Sequence, residues 1–278
     1  MTEENVKEKG VTEKKVLLKD LQNKLPIEVK GKKNQFFTFK DWTMDEEKKI
    51  SKLKAKNPSM GRFVTSVLSL MIHEIHGEEF HKLEDSQRKL VINQLPLGDV
   101  LYMYVFLRYD QMGNDIKMVF ECPFCGNKIE NFTAQLDDLD VDCKVGDYDE
   151  DVTYKLRKPI TLDKGEQLVE TLKIGVAKWD SMEKADTQES ADEGTMKAHT
   201  FKYSIIGVDG IDEFVSSDEI IKKMKKIDIE MLQQLISKHN AGPTIEAEIE
   251  CPKCSNTFFR AIEWGYDNFF GIGSLPQQ

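Results

Sequence analysis

The chain has 278 residues, of which 32% are charged, and its formal net charge is −10. A chain of this length can bury one large core or two small ones. The acidic balance disfavours nucleic acid and anionic membrane as partners, because both carry negative charge themselves. No apolar run reaches transmembrane length, and the N-terminus lacks the apolar stretch of a signal peptide, so we also expect no membrane partner.

The first 35 residues are rich in Lys and Glu and contain few large apolar side chains. This composition is typical of a solvated tail, and it predicts a flexible charged N-terminal arm over residues 1–35. A second interpretation is an arm that becomes ordered on a partner protein. In that case the stretch Val16–Leu25 would be its anchor, with Val16, Leu17 and Leu21 as candidate contacts.

Residues 36–113 carry apolar side chains at helical spacing and are predicted to form a helical domain. Thr43–Glu46 has the pattern of a capping box, while Ser59 and Asp99 are each placed to cap a later helix. The helix over residues 100–109 is apolar on nearly every side. This pattern predicts that it is buried, either at the centre of the bundle or beneath a partner.

The segment from His73 to His81 contains three histidines and invites comparison with zinc proteases. His73 and His76 are three positions apart, whereas that motif needs histidines four positions apart with Glu next to the first. We therefore expect surface or capping histidines here. Since the sequence also lacks a phosphate-binding loop and a dinucleotide fingerprint, we expect no catalytic residues and no enzyme.

Two Cys-x-x-Cys pairs with matching flanks are the strongest signal in the sequence. A predicted β-strand lies on each side of each pair, so each pair lies at the tip of a β-hairpin. Gly126 and Ser255 directly follow the two pairs and suit a tight backbone turn. Two such tips that face one another offer four thiolates to one tetrahedral ion. The predicted Zn²⁺ ligands are Cys122, Cys125, Cys251 and Cys254.

A zinc ion with four thiolate ligands has no open position for water or substrate. The site is therefore predicted to be structural, with one Zn²⁺ per chain. By joining the two hairpins, the ion is also predicted to hold together the two ends of the segment between them. Two disulfides or a redox-active pair are the alternatives, but neither a secretory context nor a thioredoxin-like setting supports them. Cys143 has no such partner and is predicted to be a free thiol, which suits a reducing cytoplasm.

The predicted fold class is α+β, with an N-terminal helical bundle and a four-cysteine zinc ribbon of two β-hairpins. A long insertion, itself a β-hairpin followed by helices, separates the two cysteine pairs. Within it, residues 137–151 are predicted to be an acidic loop, and Asp228 is predicted to cap the last helix. The predicted domains are the arm 1–35, the helical domain 36–113, the split ribbon 114–135 and 244–263, the insertion 136–243 and an aromatic tail 264–278.

The tail combines aromatic side chains with several Gly and Pro residues, and so short a segment cannot form a core alone. It is expected either to dock on the chain's own bundle or to anchor a neighbouring subunit. The candidate partner-binding residues are Trp264, Tyr266, Phe269 and Phe270, together with Val16, Leu17 and Leu21 of the arm.

Several stretches outside the cysteine pairs resemble the baseplate hub and tail-assembly proteins of contractile-tailed, T-even-type bacteriophages. They are Phe39-Lys-Asp-Trp-Thr43, Leu101–Arg108, Tyr154–Leu162, Leu168–Ile174 and Ile262–Pro276. The resemblance implies a structural or assembly protein of the virion's tail baseplate, in the hub or wedge region, which is assembled in the host cytoplasm with other tail and baseplate subunits.

The alternative is a zinc-ribbon module that binds nucleic acid or takes part in transcription. Such a module needs a basic face. The second hairpin offers Lys253 and Arg260, but several glutamates surround them.

Overall fold

The structure, a computed structural model, describes residues 12–28, 35–56, 59–145, 151–162, 167–185, 204–209 and 217–262. The elements of the first half are β1 (Thr12–Leu17), α1 (Leu18–Leu21), β2 (Phe37–Phe39), α2 (Met44–Lys56), α3 (Met60–Met71), β3 (Ile72–Ile75), α4 (Asp85–Gln94) and α5 (Leu97–Met112). Those of the second half are β4 (Asp115–Glu121), β5 (Lys128–Gln135), β6 (Asp140–Val145), β7 (Asp151–Thr161), β8 (Leu168–Gly175), α6 (Trp179–Ala185), β9 (Ile205–Val208), α7 (Ser217–Lys223), α8 (Lys226–His239), β10 (Gly242–Pro243), β11 (Glu246–Glu250) and β12 (Thr257–Ala261). The predicted aromatic tail, 264–278, lies outside the described residues.

Much of the predicted arm belongs to the fold. β1 pairs antiparallel with β6, which is also the central strand of a three-stranded sheet that includes β10. Leu18 and Leu25, which follow β1, are buried in the main core. The prediction of a flexible arm is therefore wrong for residues 12–28, and that of an acidic loop is wrong for residues 140–145. Each strand is stabilised by a partner far away in the sequence, which local composition does not indicate.

The main core surrounds α5, as its apolar sequence predicts. Its residues Val100, Tyr102, Met103, Tyr104, Val105 and Leu107 have no exposed surface. Trp179 of α6 is also buried in this core, and its Nε1–H donates a hydrogen bond of 2.8 Å to Thr65 Oγ1 on α3. Residues of the predicted insertion thus help to form the helical core. No helix in the described ranges combines the length and the apolar character needed to cross a bilayer.

The predicted helix starts are only partly confirmed. Ser59 does cap α3, since its side chain accepts a hydrogen bond from the backbone N–H of Arg62. Asp99 does not cap α5, which begins two residues earlier. Instead Asp99 is buried in the first turn and accepts a hydrogen bond of 3.1 Å from the backbone N–H of Ile27. The carboxyl group therefore ties the start of the central helix to the N-terminal segment.

Replacement of Asp99 by asparagine is expected to change how stability depends on pH. Burial raises the pKa of Asp99 well above its ordinary value of 3.8, against the opposing effect of the Ile27 N–H. The folded chain therefore keeps this proton at pH values where the unfolded chain loses it. The free energy of unfolding then falls as the pH rises above 3.8, by up to about 1.4 kcal/mol per pH unit.

The amide introduced by Asp99→Asn keeps an acceptor oxygen for the Ile27 N–H and has no proton to lose. Denaturant unfolding between pH 4 and pH 7 should show the variant gaining stability relative to the parent as the pH rises. A difference that stays constant over this range would contradict the assignment.

A second core lies between the sheet β7–β8–β9 and the helices α7 and α8. Asp228 was predicted to cap the last helix, but α8 begins at Lys226 and Asp228 is fully buried in its first turn. Its Oδ1 accepts hydrogen bonds of 2.9 Å from the Tyr154 hydroxyl and from the Arg157 N–H. The β-hairpin predicted within the insertion is confirmed as β7 and β8, whereas Ile205, in the part of the insertion predicted to consist of helices, begins β9.

The histidine-rich corner follows α3. The helix ends at Met71 rather than continuing through the first histidines, and residues 72–75 form β3, which pairs with β2. The rings of His73 and His81 are stacked with their centroids 4.1 Å apart. The segment therefore does not place two histidines on one helical face, as a zinc protease requires.

Candidate metal centre

Two β-hairpins carry the four cysteines, as predicted. β4 and β5 pair antiparallel up to Glu121 opposite Lys128, and the first cysteine pair lies in the loop beyond. β11 and β12 pair up to Glu250 opposite Thr257, and the second pair lies in that loop. Alternation of buried and exposed residues along these strands gives each hairpin one face for packing.

The first loop is closed by backbone hydrogen bonds. The N–H of Gly126 donates to the carbonyl oxygen of Cys122 over 3.0 Å, and the N–H of Cys122 donates to the oxygen of Asn127 over 2.8 Å. Gly126 has a φ of 67°, in the left-handed region where glycine has no steric penalty. The turn thus directs both cysteine side chains of the loop to the same side.

The second loop repeats this geometry. The N–H of Ser255 donates to the oxygen of Cys251 over 2.8 Å, and the N–H of Cys251 donates to the oxygen of Asn256 over 3.0 Å. Ser255 has a φ of 55°, and the Asn256 side-chain amide donates to the Cys254 sulfur over 3.5 Å. The tight turns predicted after both pairs are therefore present. No role was predicted for Asn127 and Asn256, although each is the second residue after its cysteine pair.

The four predicted ligands lie together. The Sγ atoms of Cys122 and Cys254 are 3.7 Å apart, as are those of Cys125 and Cys251, and all four sulfurs lie within 4.8 Å of one another. A tetrahedral zinc ion with bonds of about 2.3 Å places its sulfurs about 3.8 Å apart. A disulfide would need about 2.05 Å, and all five cysteines of the chain are free. The arrangement fits a metal ion with four thiolate ligands.

The electrostatics of the cluster also favour a cation. Burial opposes ionisation of Cys251, but backbone N–H groups of Cys254 and Lys253 that donate to its sulfur lower its pKa to about 6. The Asn127 N–H favours ionisation of Cys125, but desolvation and the three neighbouring sulfurs outweigh it and raise that pKa to about 12. Four thiolates at these distances repel one another, so a bound cation is needed to stabilise all four.

A small apolar cluster surrounds the sulfurs. Cys122 and Cys251 are 2% and 0% exposed, and Ile249 and Phe258 are buried beside them. The Phe120 ring packs edge-on against Phe258 at a centroid distance of 6.0 Å. A metal ion held by four sulfurs in this cluster has no free coordination position, so the site can fix the two hairpins together but cannot activate water.

The other candidate residues do not join this site. Among the described residues, the four cysteines are the one group of His, Cys, Asp and Glu side chains close enough to share a metal ion. Val16 and Leu21 are half-buried and pack against the main core, and Leu17 is half-buried as well. Cys143 lies in β6, where burial raises its pKa to about 11. Trp264, Tyr266, Phe269 and Phe270 lie outside the described residues.

The chain matches the model of a known protein family. The family model described as "T4 bacteriophage base plate protein" matches residues 21–270. Neither the curated proteins nor the solved structures gave a match to the chain. The matched range includes β6, both hairpins and all four cysteines.

Proposed function

The chain belongs to the T4 bacteriophage base plate protein family, and from this premise we propose that it is a non-enzymatic structural or assembly component of the hub or wedge region of a contractile tail baseplate. In this proposal one structural Zn²⁺ joins its two hairpins as a zinc ribbon. The baseplate role rests on the family match, and the metal site rests on the convergence of four cysteine sulfurs from two hairpins that are far apart in the sequence.

Zinc is the metal that suits this donor set. Soft thiolate ligands in a four-sulfur arrangement select zinc or iron–sulfur clusters over magnesium and calcium, which prefer oxygen. The distances between the sulfurs agree with a single tetrahedral ion. Since such a site has no position for substrate, its role is mechanical: it makes the two hairpins one rigid unit.

The partners in this proposal are other tail and baseplate subunits, and the chain's place is the virion tail. Its candidate contact residues are Val16, Leu17 and Leu21, which keep part of their surface exposed, and Trp264, Tyr266, Phe269 and Phe270. The alternative of nucleic-acid binding is disfavoured by the second hairpin, because three exposed glutamates alternate along β11.

The role is tested in a phage whose own copy of this gene is inactive and whose host supplies the protein from a plasmid. Parent protein should restore infectious particles and should be found in purified baseplates, whereas Cys251→Ser should fail to restore them. Cys143→Ala, which alters a cysteine outside the cluster, is the control and should complement. A normal yield of particles without any copy of the chain would contradict the proposed function.

A further inference from the structure

The sheet β11–β12 has one face on the cysteine cluster and one face that is open within the described part of the chain. Ile249 lies opposite Phe258 on the inner face, and both side chains are buried. Residues on the outer face alternate with them and are exposed. We call this outer face the acidic face. It consists of three cross-strand pairs: Glu246 opposite Ala261, Glu248 opposite Phe259 and Glu250 opposite Thr257.

The acidic face combines like charges with an exposed aromatic ring. Its three glutamates follow one another at every second position of β11, about 7 Å apart along the strand. None of them forms an ion pair with a described Lys or Arg residue. Arg260 belongs to the other face, where its guanidinium lies 5.9 Å from the Phe258 ring centroid. The side chain of Phe259 is 63% exposed, opposite the central glutamate.

We propose that the acidic face is a docking surface for a segment of a different baseplate protein that carries Lys or Arg residues around an apolar side chain. The cations would pair with the glutamates, and the apolar side chain would cover the ring of Phe259. The proposal rests on the proposed function, since it names where one of the partners binds. The metal cluster beneath the sheet would hold this face rigid, which lowers the entropic cost of binding.

The charge of each candidate distinguishes among the proteins or segments that could cover the acidic face. A second copy of this chain also carries a net charge of −10, so long-range repulsion opposes self-association. The chain's own C-terminal residues, 263–278, include Glu263 and Asp267 but no Lys or Arg. The C-terminal residues therefore supply no positive charge, and a second copy is repelled by its net charge, whereas a basic segment of another protein has neither disadvantage.

The test uses the complementation assay with two matched pairs of variants. Glu248→Lys reverses one charge of the acidic face, and Glu170→Lys reverses an exposed strand glutamate on β8. Phe259→Ala removes the exposed ring, and Phe36→Ala removes a ring outside both hairpins that is 49% exposed. The two changes on the acidic face should lower the yield of infectious particles about tenfold or more, and the two controls should not. Purified Glu248→Lys should keep the metal content of the parent protein.

Revertants identify the partner's chemistry. Phages that regain growth with Glu248→Lys should carry, in another tail gene, a change that replaces Lys or Arg by a neutral or acidic residue. Normal growth with Glu248→Lys, an equal defect in Glu170→Lys, or compensating changes within this chain would overturn the proposal. If the proposed function itself is wrong, the parent chain is dispensable, so the two failures are distinguishable.

Discussion

Replacement of Cys251 by serine should abolish stoichiometric zinc binding and loosen the tips of both hairpins. The apolar cluster around the sulfurs contains few buried side chains, so it cannot hold the tips together without the ion. Metal binding at comparable four-ligand sites contributes on the order of 10 kcal/mol in isolated peptides. In this chain the loss of structure in Cys251→Ser should be confined to the hairpin tips. The bases of the hairpins stay in the main core through four buried residues, Ile116, Ala134, Ala247 and Ile262.

Limited proteolysis followed by mass spectrometry measures this effect. New cleavage sites should appear in residues 117–133 and 248–260, while α5 and the sheet β1–β6–β10 stay resistant. Cys143→Ala is the control, since Cys143 lies in β6 and its sulfur is 3.8 Å from the Val141 oxygen rather than in the cluster. Identical digestion of the Cys251→Ser variant and the parent would show that the ion does not hold the hairpins.

Replacement of Gly98 by alanine should cost at least about 3 kcal/mol of unfolding free energy. A Cβ atom at Gly98 would lie 1.7 Å from the oxygen of Ala241 and 2.4 Å from its carbonyl carbon. These are backbone atoms, so the start of α5 and the segment before β10 would have to separate. Since β10 leads directly into the second hairpin, the change would also disturb the base of the metal centre.

Chemical denaturation of Gly98→Ala measures this loss, and Gly207→Ala is its matched control. A Cβ at Gly207 would meet the side chain of Lys173 at 3.7 Å, an ordinary contact with a flexible group. The control should change the unfolding free energy by no more than about 1 kcal/mol. Similar losses in the two variants would contradict the close contact at Gly98.

The metal centre was predictable because its signals are local. Each hairpin has its strands, its turn and its cysteines within some twenty consecutive residues, and the second hairpin repeats the first. The residues after each pair, Gly126 and Ser255, adopt the left-handed turn that their position indicates. Only the meeting of the two hairpins is a long-range event, and it was predicted from the need of a tetrahedral ion for four cysteine ligands.

The sheet β1–β6–β10 was not predictable in this way. β1 contains alternating charges that are typical of a solvated tail, and β6 lies in an acidic stretch. Each becomes a strand through pairing across more than 120 positions, and no local pattern specifies that pairing. Asp99 and Asp228 were wrongly predicted to be helix caps for a related reason: their hydrogen-bond donors lie in distant segments rather than in their own helices.

The metal content of the purified full-length chain, together with X-ray absorption at the metal edge, tests the four-cysteine zinc site most directly. We expect one zinc per chain, with four sulfur neighbours at about 2.3 Å. A chain that folds without stoichiometric metal, or a zinc ion with nitrogen or oxygen in place of the four sulfurs, would contradict it.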